Sequence, residues 1–533
     1  MRFLKIVFVL SLLFFLGCAK RGRVSGGAKD ITPPVVVNTA PHHHSVNFSG
    51  NQIEITFDEF VKLKNANKNV SVSPPLEKRL QITPTAVTKK IKLTFQEELK
   101  PNTTYTINFG ESIQDNNEGN ILRDYSYVFS TGSYLDSLRI SGSITDAFQK
   151  EIGEETKILL YEFNEQYTDS VPYLQLPTYI SYLSKDATTF QMNNLKEGKY
   201  RLLAITDKNG NRKYDPKQDK IGFVEEIINL PTYGDFQLRL FKEQLNFKPI
   251  RAFQENKNKI ILAYEGVIND VDVQLLANGS VIPTKQTKIK NKDSLAIWFN
   301  PILTDSLVLQ VKGGTVEKSF TLKSKDFKND TLQLKFESKN TIGFSENLKV
   351  LINTPIEQIN QTKINIFDKD SLKVAFTIEN KQEHEFELAF EKQEKHKYTI
   401  EVLPGAVVDY FGKTNDTVVM NTTTRNFSDY GNLKIILENI EQYPIIVELL
   451  DQKNNVYRQQ YHTEHQTELD FVYINPGIYS LRIIYDVNGN KQWDTGNFML
   501  KQQPEKLLYY PKNIDVRANW DVNERFRIVT DKN

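Results

Sequence analysis

The sequence predicts an all-β chain made of tandem β-sandwich domains, and three observations predict this fold class. Short runs rich in β-branched and aromatic residues alternate with polar residues, as over 52–57, 90–95 and 104–109. Such alternation places one side of a strand on a core and the other in water. Clusters of Asn, Asp, Gly and Pro, which are turn formers, separate the runs. Helical periodicity is scarce, and many short strands at this spacing are typical of sandwiches.

Length and composition limit the classes of protein that fit. A chain of 533 residues is expected to form about four or five domains. Lys plus Arg total 67 and Asp plus Glu total 66, which argues against a protein that binds nucleic acid through bulk electrostatics. The mean hydropathy of −0.46 argues against a multi-span membrane protein. Cys18 is the single cysteine, so disulfide scaffolds and cysteine zinc sites are excluded from the rest of the chain.

The N-terminus has the pattern of a targeting segment. Arg2 and Lys5 precede a nearly uninterrupted apolar run over 6–16, which is too short to span a bilayer. The run ends at Gly17-Cys18, and this resembles a bacterial lipoprotein signal, in which a small residue precedes the cysteine that is lipidated. The resemblance implies a signal peptide over 1–17, acyl chains such as palmitate on Cys18, and a flexible tether over 18–29. It also implies a lipid anchor in the outer membrane. The body of the protein is then expected on either the periplasmic or the outer surface of that membrane. An ordinary secretory signal with an incidental cysteine is the alternative.

Residues 30–132 carry an ordered set of motifs. A Thr-Pro-Pro entry at 32–34 is followed by a strand at 53–57, a turn and strand at 99–105, an Asx-rich loop at 115–120 and a closing strand at 127–131. This order resembles the bacterial Ig-like domain of the SbsA type, which implies a structural or adhesive sandwich. More broadly, the chain resembles Bacteroidetes-type lipoproteins that carry this domain, and no catalytic mechanism comes with that resemblance.

An internal repeat relates residues 195–215 to residues 474–494. Each copy has a Gly-x-Tyr turn, an apolar strand, and then D-x-N-G-N-x-x-aromatic-D. The repeat resembles the prealbumin-like or carboxypeptidase-regulatory β-sandwich of many secreted multidomain proteins. Residues 348–356 echo the strand at 53–57, which predicts a second, degenerate Ig-like domain there.

We call the five predicted domains modules 1 to 5. Module 1 is the Ig-like domain at 30–132, modules 2 and 5 are the prealbumin-like repeats at 133–245 and 427–533, module 3 is a sandwich at 246–328, and module 4 is the degenerate Ig-like sandwich at 329–426. Five sandwiches in a row are expected to form an elongated rod.

The two D-x-N-G-N loops are the candidate metal sites. Their Asp and Asn side chains fall at offsets 1, 3, 5 and 9, a spacing at which oxygen ligands suit a hard cation such as Ca²⁺. The candidate ligands are Asp207, Asn209, Asn211 and Asp215 in the first loop, and Asp486, Asn488, Asn490 and Asp494 in the second. The pattern departs from an EF-hand, because Gly stands at offset 4 and offset 12 is Gln218 or Asn497. Asp219 is a further candidate ligand in the first loop, which makes that loop the stronger calcium candidate, and the sequence suggests no counterpart in the second. The alternative is an Asx-rich turn whose side chains bind their own backbone.

Other candidate residues have ordinary structural explanations as well. The run His42, His43 and His44 is expected to be a solvated loop, because consecutive histidines on an extended chain do not converge on a metal. The aromatic stretch 167–182 is either a binding loop or a cover over a sheet edge. Trp298, Trp493 and Trp520 are candidate sugar-stacking platforms, and for Trp298 and Trp493 the alternative is a core or rim position in a sandwich.

These patterns predict a non-enzymatic outer-membrane lipoprotein. The sequence has no G-x-S-x-G elbow, Walker loop or dinucleotide fingerprint. The chain is therefore expected to act as a scaffold, an adhesin or a protein-interaction arm at the cell envelope, with no required cofactor and calcium as a candidate ligand. A carbohydrate-binding surface lipoprotein of a glycan-uptake system is the alternative, and a hydrolase with an unrecognised pair of carboxylates is a third hypothesis.

Overall fold

The computed structural model describes residues 30–528, without 124, 184, 185, 269, 326, 329, 330, 338 and 339, and it is built almost entirely from β-strands. The prediction of tandem β-sandwiches is confirmed, because the strands pair within each module into sheets that enclose an apolar core. The predicted signal peptide, Cys18 and the tether lie outside the described residues. No helix in the described part of the chain is long and apolar enough to cross a bilayer.

Module 1 pairs a five-stranded sheet with a three-stranded one. The strand order is β1-β2-β5-β4, with β7 on β2, and the facing sheet has the order β3-β6-β8. Alternate residues of β2 are buried, namely Ile53, Ile55 and Phe57, so the predicted alternation places these side chains in the core. The strands are β1 (Val36–Ala40), β2 (Gln52–Leu63), β3 (Ser71–Ser73), β4 (Gln81–Thr83), β5 (Thr88–Thr94), β6 (Thr104–Asn108), β7 (Ile113–Asp115) and β8 (Ser126–Ser130), and helix α1 (Ala66–Asn69) lies between β2 and β3.

Modules 2 and 5 share one topology. Module 2 has a sheet of order β11-β10-β13-β14, with β15 on β13, facing β12-β9-β16. Module 5 repeats this as β36-β35-β38-β39, with β40 on β38, facing β37-β34-β41. In both, the first and last strands of the module pair in parallel. The strands of module 2 are β9 (Leu138–Asp146), β10 (Thr156–Glu162), β11 (Tyr179–Leu183), β12 (Thr189–Leu195), β13 (Gly198–Ile205), β14 (Ile221–Phe223), β15 (Ile228–Leu230) and β16 (Asp235–Leu240), and helix α2 (Val171–Leu174) precedes β11.

Modules 3 and 4 are also sandwiches. Module 3 pairs β17-β18-β22-β21 with β20-β19-β23-β24, and module 4 pairs β25-β26-β30-β29 with β28-β31-β33 and carries the ribbon β27-β32. The strands of module 3 are β17 (Lys248–Asn256), β18 (Lys259–Glu265), β19 (Val271–Ala277), β20 (Ser280–Ile282), β21 (Thr284–Lys288), β22 (Ser294–Phe299), β23 (Ser306–Gly313) and β24 (Val316–Lys323).

The strands of module 4 are β25 (Leu334–Phe336), β26 (Leu348–Ile352), β27 (Ile356–Ile359), β28 (Ile364–Phe367), β29 (Phe376–Glu379), β30 (Glu385–Phe390), β31 (Lys397–Val402), β32 (Val407–Asp409) and β33 (Val418–Thr423). Those of module 5 are β34 (Gly431–Glu438), β35 (Ile445–Leu450), β36 (Val456–His462), β37 (Glu468–Ile474), β38 (Gly477–Tyr485), β39 (Leu507–Tyr509), β40 (Ile514–Val516) and β41 (Asp521–Arg527). Short 3₁₀ turns occur at Gln361–Lys363 and Phe427–Asp429.

The central strands of modules 2 and 5 do not alternate, because both of their faces are buried. All six residues of β35 are buried, and four consecutive residues of β10 are buried as well. In module 2, Leu159 and Leu203 pair across β10 and β13 on the face that points away from the inter-sheet core. An apolar outer face has to be covered, since burial of apolar area stabilises a fold by about 25 cal/mol per Å².

Module 5 supplies part of that cover, so the expected elongated rod of modules in a row is wrong. We call residues 495–504 of module 5 the clasp. Phe498 of the clasp is fully buried in the outer apolar cluster of module 2, beside Phe223 and Phe241. The Phe498 backbone N–H donates to the buried Glu243 carboxylate at 2.6 Å. A Cβ on Gly496 would lie 2.7 Å from the Phe241 ring, so this glycine allows the close approach of the clasp.

A second set of contacts joins the sheets of modules 2 and 5 more directly. Arg482 on the outer face of β38 forms a 2.5 Å ion pair with the buried Glu448 of β35. The guanidinium also lies 4.3 Å above the ring of Phe148 from module 2. The ring of Trp493 packs on Phe148 at 4.7 Å, and the Tyr509 hydroxyl donates to the Phe148 carbonyl at 2.9 Å.

Contacts between consecutive modules complete a closed ring of modules 2 to 5. Lys217 and Glu265 form an ion pair of 2.8 Å between modules 2 and 3. The buried ring of Trp298 packs on Phe411 between modules 3 and 4. Phe344 and Phe427 stack at 4.3 Å between modules 4 and 5. Because the last module returns to the second, each module of the ring is held from two sides.

The clasp gives the first prediction. Replacing Phe498 by Ala removes a fully buried ring and is expected to cost about 3–5 kcal/mol, in the range for buried Phe to Ala changes. The cost should appear as opening of the ring, measured as an increased radius of gyration in small-angle X-ray scattering. Met499→Ala is the matched control, because the Met499 side chain is about half exposed in the same clasp. Equal scattering curves for Phe498→Ala and the control would contradict the closed ring.

Candidate functional site

The first D-x-N-G-N loop is held by its own side chains. Asp207 accepts the backbone N–H of Asn211 at 3.0 Å on Oδ1 and that of Arg212 at 2.7 Å on Oδ2. Asn209 and Asn211 each accept the N–H two residues on, which is the geometry of Asx turns. The Lys157 ammonium from β10 also contacts Asp207 Oδ2. A positive charge therefore lies on the first predicted ligand.

The second loop has the same backbone pattern and a different electrostatic environment. Asp486 accepts the N–H of Asn490 at 3.1 Å and that of Lys491 at 2.9 Å, as Asp207 does in the first loop. The strand position that corresponds to Lys157 is the buried Ile446, since Lys157 pairs with Ile205 and Ile446 pairs with Ile484. Asp486 thus has no lysine at this position and is fully buried.

A carboxylate from outside the motif anchors each loop. In the first loop, Asp219 accepts the N–H of Lys208 at 2.8 Å and that of Asp215 at 2.9 Å. In the second, Glu505 accepts the N–H of Val487 at 2.8 Å and that of Asp494 at 3.0 Å. The expectation that Asp219 has no counterpart is therefore wrong, because Glu505 fills its role at the same two offsets.

Comparison of the two repeat sequences does not reveal Glu505, because the clasp separates it from the D-x-N-G-N motif. Asp219 comes four positions after Asp215, whereas Glu505 comes eleven positions after Asp494, so the second copy is seven residues longer here. The extra residues form the clasp that enters module 2. A mismatch in length between two otherwise parallel copies was the signal in the sequence.

Burial shifts the proton affinity of both anchoring groups. Desolvation raises the pKa of Asp219 above its ordinary value, and the backbone N–H groups of Lys208 and Asp215 act in the opposite direction. Desolvation likewise raises the pKa of Glu505, against the N–H groups of Asp494 and Val487. Partial desolvation disfavours the charged form of these carboxylates, and a bound cation would favour that charged form.

The arrangement favours the second loop as the calcium candidate. Asn488 and Asn490 both donate their amides to Asp494 Oδ2, at 2.6 and 2.7 Å, so three predicted ligands converge on one point. The oxygens of the two amides accept the backbone N–H groups of Asn490 and Gln492, so a cation at this point would compete with these Asx-turn bonds for the oxygens. In the first loop, Lys157 competes with a cation for Asp207. Across the described residues, no three His, Cys, Asp or Glu side chains form a metal-ligand group, so calcium binding stays a prediction that rests on Asn oxygens.

The aromatic stretch of module 2 is a cover. Tyr167, Val171, Tyr173 and Tyr182 pack on the outer face of the β10–β13 sheet together with the clasp. The Tyr173 ring lies 5.1 Å from Tyr214, whose hydroxyl donates to Glu243 at 2.6 Å. The stretch therefore encloses the interface between modules 2 and 5.

The tryptophans divide between interfaces and the surface. Trp298 is buried at the junction of modules 3 and 4, and Trp493 packs against Phe148 between modules 5 and 2. Trp520 is more than half exposed and stacks on the Arg517 guanidinium at 5.1 Å. Among the three, only Trp520 offers a free face of the kind that stacks on a sugar.

The histidine run contributes to the packing of module 1. His42, His43 and His44 are exposed, and His43 Nδ1 accepts the backbone N–H of Val128 at 3.2 Å. Burial and the neighbouring His44 lower the pKa of His43, which favours the neutral ring that accepts this bond.

Comparison with known proteins supports the fold. Residues 30–131 match the family model of a bacterial Ig-like domain. The search of curated proteins found no match to the chain. Among solved structures, the S-layer protein rSbsC(31-844) is similar at 12% identity and a TM-score of 0.16, over 91% of this chain and 67% of that chain.

Two further solved structures are similar at the same low level. Titin domains A168–A170 have 8% identity and a TM-score of 0.15, over 52% of this chain and 97% of that chain. The Bacteroides ovatus mixed-linkage glucan utilization locus SGBP-B, in complex with a mixed-linkage heptasaccharide, has 11% identity and a TM-score of 0.19, over 70% of this chain and 93% of that chain. At these identities and TM-scores the three likenesses carry no argument about function.

The anchoring carboxylate gives a prediction on stability. Glu505→Ala removes the acceptor of the exposed Val487 N–H and of the partly buried Asp494 N–H, and it is expected to cost about 1–3 kcal/mol, since each hydrogen bond contributes about 0.5–1.5 kcal/mol. Urea unfolding followed by tyrosine and tryptophan fluorescence measures the change. Glu464→Ala, at an exposed position of the same module, is the control. A loss no greater than that of the control would contradict the anchoring role.

Calcium gives a separate prediction. A cation that binds only the folded state stabilises it, so calcium is expected to raise the melting temperature of the protein above the value in EDTA. Asp494→Asn should reduce this shift more than Asp215→Asn, because Lys157 already occupies the first loop. Differential scanning calorimetry checks both statements, and equal melting temperatures with calcium and with EDTA would show that the calcium prediction is wrong.

Proposed function

We propose that the chain is a non-enzymatic, lipid-anchored lipoprotein of the outer membrane that acts as a rigid protein-interaction scaffold at the cell envelope. The observation that carries the proposal is the closed ring. Apolar and ion-paired contacts between modules fix the orientation of each sandwich relative to the next, as in the insertion of Phe498 into module 2. Such a body presents surfaces in constant geometry, which suits recognition more than chemistry.

Two features of the sequence support the envelope location. The Gly17-Cys18 junction after an apolar run is the pattern of a lipoprotein signal, and several acyl chains anchor a protein firmly. The match of residues 30–131 to a bacterial Ig-like domain agrees with a bacterial extracytoplasmic protein. The narrower assignment to the SbsA type and to Bacteroidetes-type lipoproteins is part of the same proposal and rests on the motif order in module 1.

Protein recognition is favoured over glycan recognition. A glycan-binding role calls for aromatic faces open to solvent, and of the three tryptophans Trp298 and Trp493 are engaged at module interfaces, while Trp520 alone has an exposed ring. The sequence also lacks the recognised motifs of nucleophilic or nucleotide chemistry, which supports a non-enzymatic role.

Anchoring and partner binding can be tested in one experiment. Cys18→Ser is expected to move the protein from the membrane fraction to the aqueous fraction, because the acylated residue is lost. Ser25→Ala, in the predicted tether, is the matched control and should leave the partition unchanged.

Chemical crosslinking of the wild-type protein in intact envelopes should yield a specific protein adduct. Membrane partition of Cys18→Ser equal to that of wild type would contradict the anchor, and the absence of any protein adduct would contradict the scaffold role.

A further inference from the structure

A cleft of about 970 Å³ lies between modules 1 and 2. Its module 1 side is formed by helix α1 and by the segment that contains Lys78, Arg79 and Ile82. Its module 2 side is formed by Tyr182 and Leu183 of β11 and by the first D-x-N-G-N loop with Arg212. We call this the edge cleft. Its volume lies in the range of ligand-binding clefts, which occur preferentially between domains.

Two sheet edges border the edge cleft. β4 is the terminal strand of its sheet and β11 is the terminal strand of the other, so each pairs with a neighbour on one side. The Ile180 N–H of β11 donates to Ser73 Oγ of module 1 at 3.1 Å, so module 1 already occupies this part of the β11 edge, and β4 is the edge left to pair with a further strand. Strand edges offer rows of backbone N–H and C=O groups, and an extended peptide can pair with them.

The charge of the edge cleft is unbalanced. The four carboxylates that line it are each ion-paired: Glu154 with Lys208, Glu155 with Lys68, Asp207 with Lys157 and Glu111 with Arg123. Lys78, Arg79 and Arg212 also line it and form no ion pair with any residue in the described part of the chain. The Arg212 guanidinium donates to the Leu76 carbonyl at 2.8 Å, and this bond holds it between the modules. Three unpaired cations favour an anionic occupant.

The positive charges of Arg79 and Arg212 both act on Tyr182, which lines the edge cleft. Burial raises the pKa of the Tyr182 hydroxyl, and the positive charges of Arg212 and Arg79 both oppose that rise. The Lys157 ammonium lies 5.1 Å from the centre of the Tyr182 ring. Tyr182 thus provides an aromatic surface with a cation against it.

Apolar residues flank the cations along the module 1 wall. Leu80 and Ile82 are partly buried and follow Lys78 and Arg79 in the chain, and Leu183 lines the cleft from module 2. An anionic polysaccharide would use the cations and leave these apolar side chains in water. A strand with alternating acidic and apolar side chains satisfies the cations, the apolar positions and the β4 edge together.

We propose that the edge cleft binds an extended acidic segment of a partner protein, which pairs with the free edge of β4 and places its carboxylates on Lys78, Arg79 and Arg212. The inference deepens the proposed scaffold role and rests on it. It assigns the partner contact to modules 1 and 2, outside the clasp.

The test uses two fluorescein-labelled octapeptides, one of alternating Glu and Val and one of alternating Lys and Val. Fluorescence anisotropy with the whole mature protein should show binding of the acidic peptide alone, with weaker binding as salt is raised. Lys78→Ala with Arg79→Ala should weaken binding at least about tenfold, since two charged contacts are lost. Lys312→Ala with Lys323→Ala, which removes two exposed cations of module 3, is the matched control and should leave affinity unchanged.

Two results would exclude binding of an acidic peptide in the edge cleft. Equal affinity of the Lys78/Arg79 double variant and the control for the acidic peptide would exclude the edge cleft. Tighter binding of polyglucuronate than of the acidic peptide, lost in the same double variant, would make it an anionic glycan site and overturn the peptide assignment.

Crosslinking in envelopes separates this inference from the broader scaffold role. A photo-crosslinker at Ile82 should give a protein adduct that the Lys78/Arg79 double variant lacks. A different result would refute the edge cleft and leave the scaffold role standing: no adduct forms at Ile82, and an adduct elsewhere on the chain forms equally in wild type and in the double variant. The absence of protein adducts at every position would refute both.

Discussion

The arrangement of the modules depends on one constraint, which is that the central sheets of modules 2 and 5 are apolar or ion-paired on their outer faces. Leu159 and Leu203 occupy the centre of this face in module 2, and Glu448 and Arg482 occupy it in module 5. Exposure of either outer face to solvent would cost free energy. In module 2 the leucines would expose apolar area, and in module 5 the Arg482 guanidinium would lose its cation–π contact with Phe148. Packing module 5 on module 2 meets both needs. The ring of modules 2 to 5 follows from that contact together with the short connections between neighbours.

The two repeats show how one topology serves two structural roles. Both keep the Asx-turn loop and an anchoring carboxylate that accepts N–H groups at the second and ninth positions of the motif. In module 5, seven extra residues between the loop and Glu505 lengthen this segment into the clasp. The anchoring carboxylate holds both ends of the loop in place, so the insertion can project into module 2 without disturbing the motif. The change from Lys157 to Ile446 then leaves Asp486 without the competing ammonium.

Rigidity and recognition are connected in this molecule. The ring fixes modules 2 to 5, and module 1 joins it through bonds from Ile180 and Arg212 to Ser73 and Leu76. The same junction forms the edge cleft, where the free edge of β4 lies beside three cations that have no ion pair in the described part of the chain. A fixed groove loses little conformational entropy when it binds, which favours a partner segment that is itself extended.

The amino-acid sequence by itself determined the fold class, the repeat and the candidate loops. Period-two alternation at 53–57 and the D-x-N-G-N spacing are local properties, and local patterns dictate which side of a strand is buried and where a turn forms. Only the tertiary structure decided that the rod closes, that Glu505 replaces Asp219, and that Trp298 and Trp493 lie at interfaces. These outcomes join residues far apart in the chain, such as Phe498 and Glu243. A run such as Ile445–Leu450 shows that both faces of a strand are apolar, but it does not specify which surface covers the outer face, because that partner is selected by shape and charge in three dimensions.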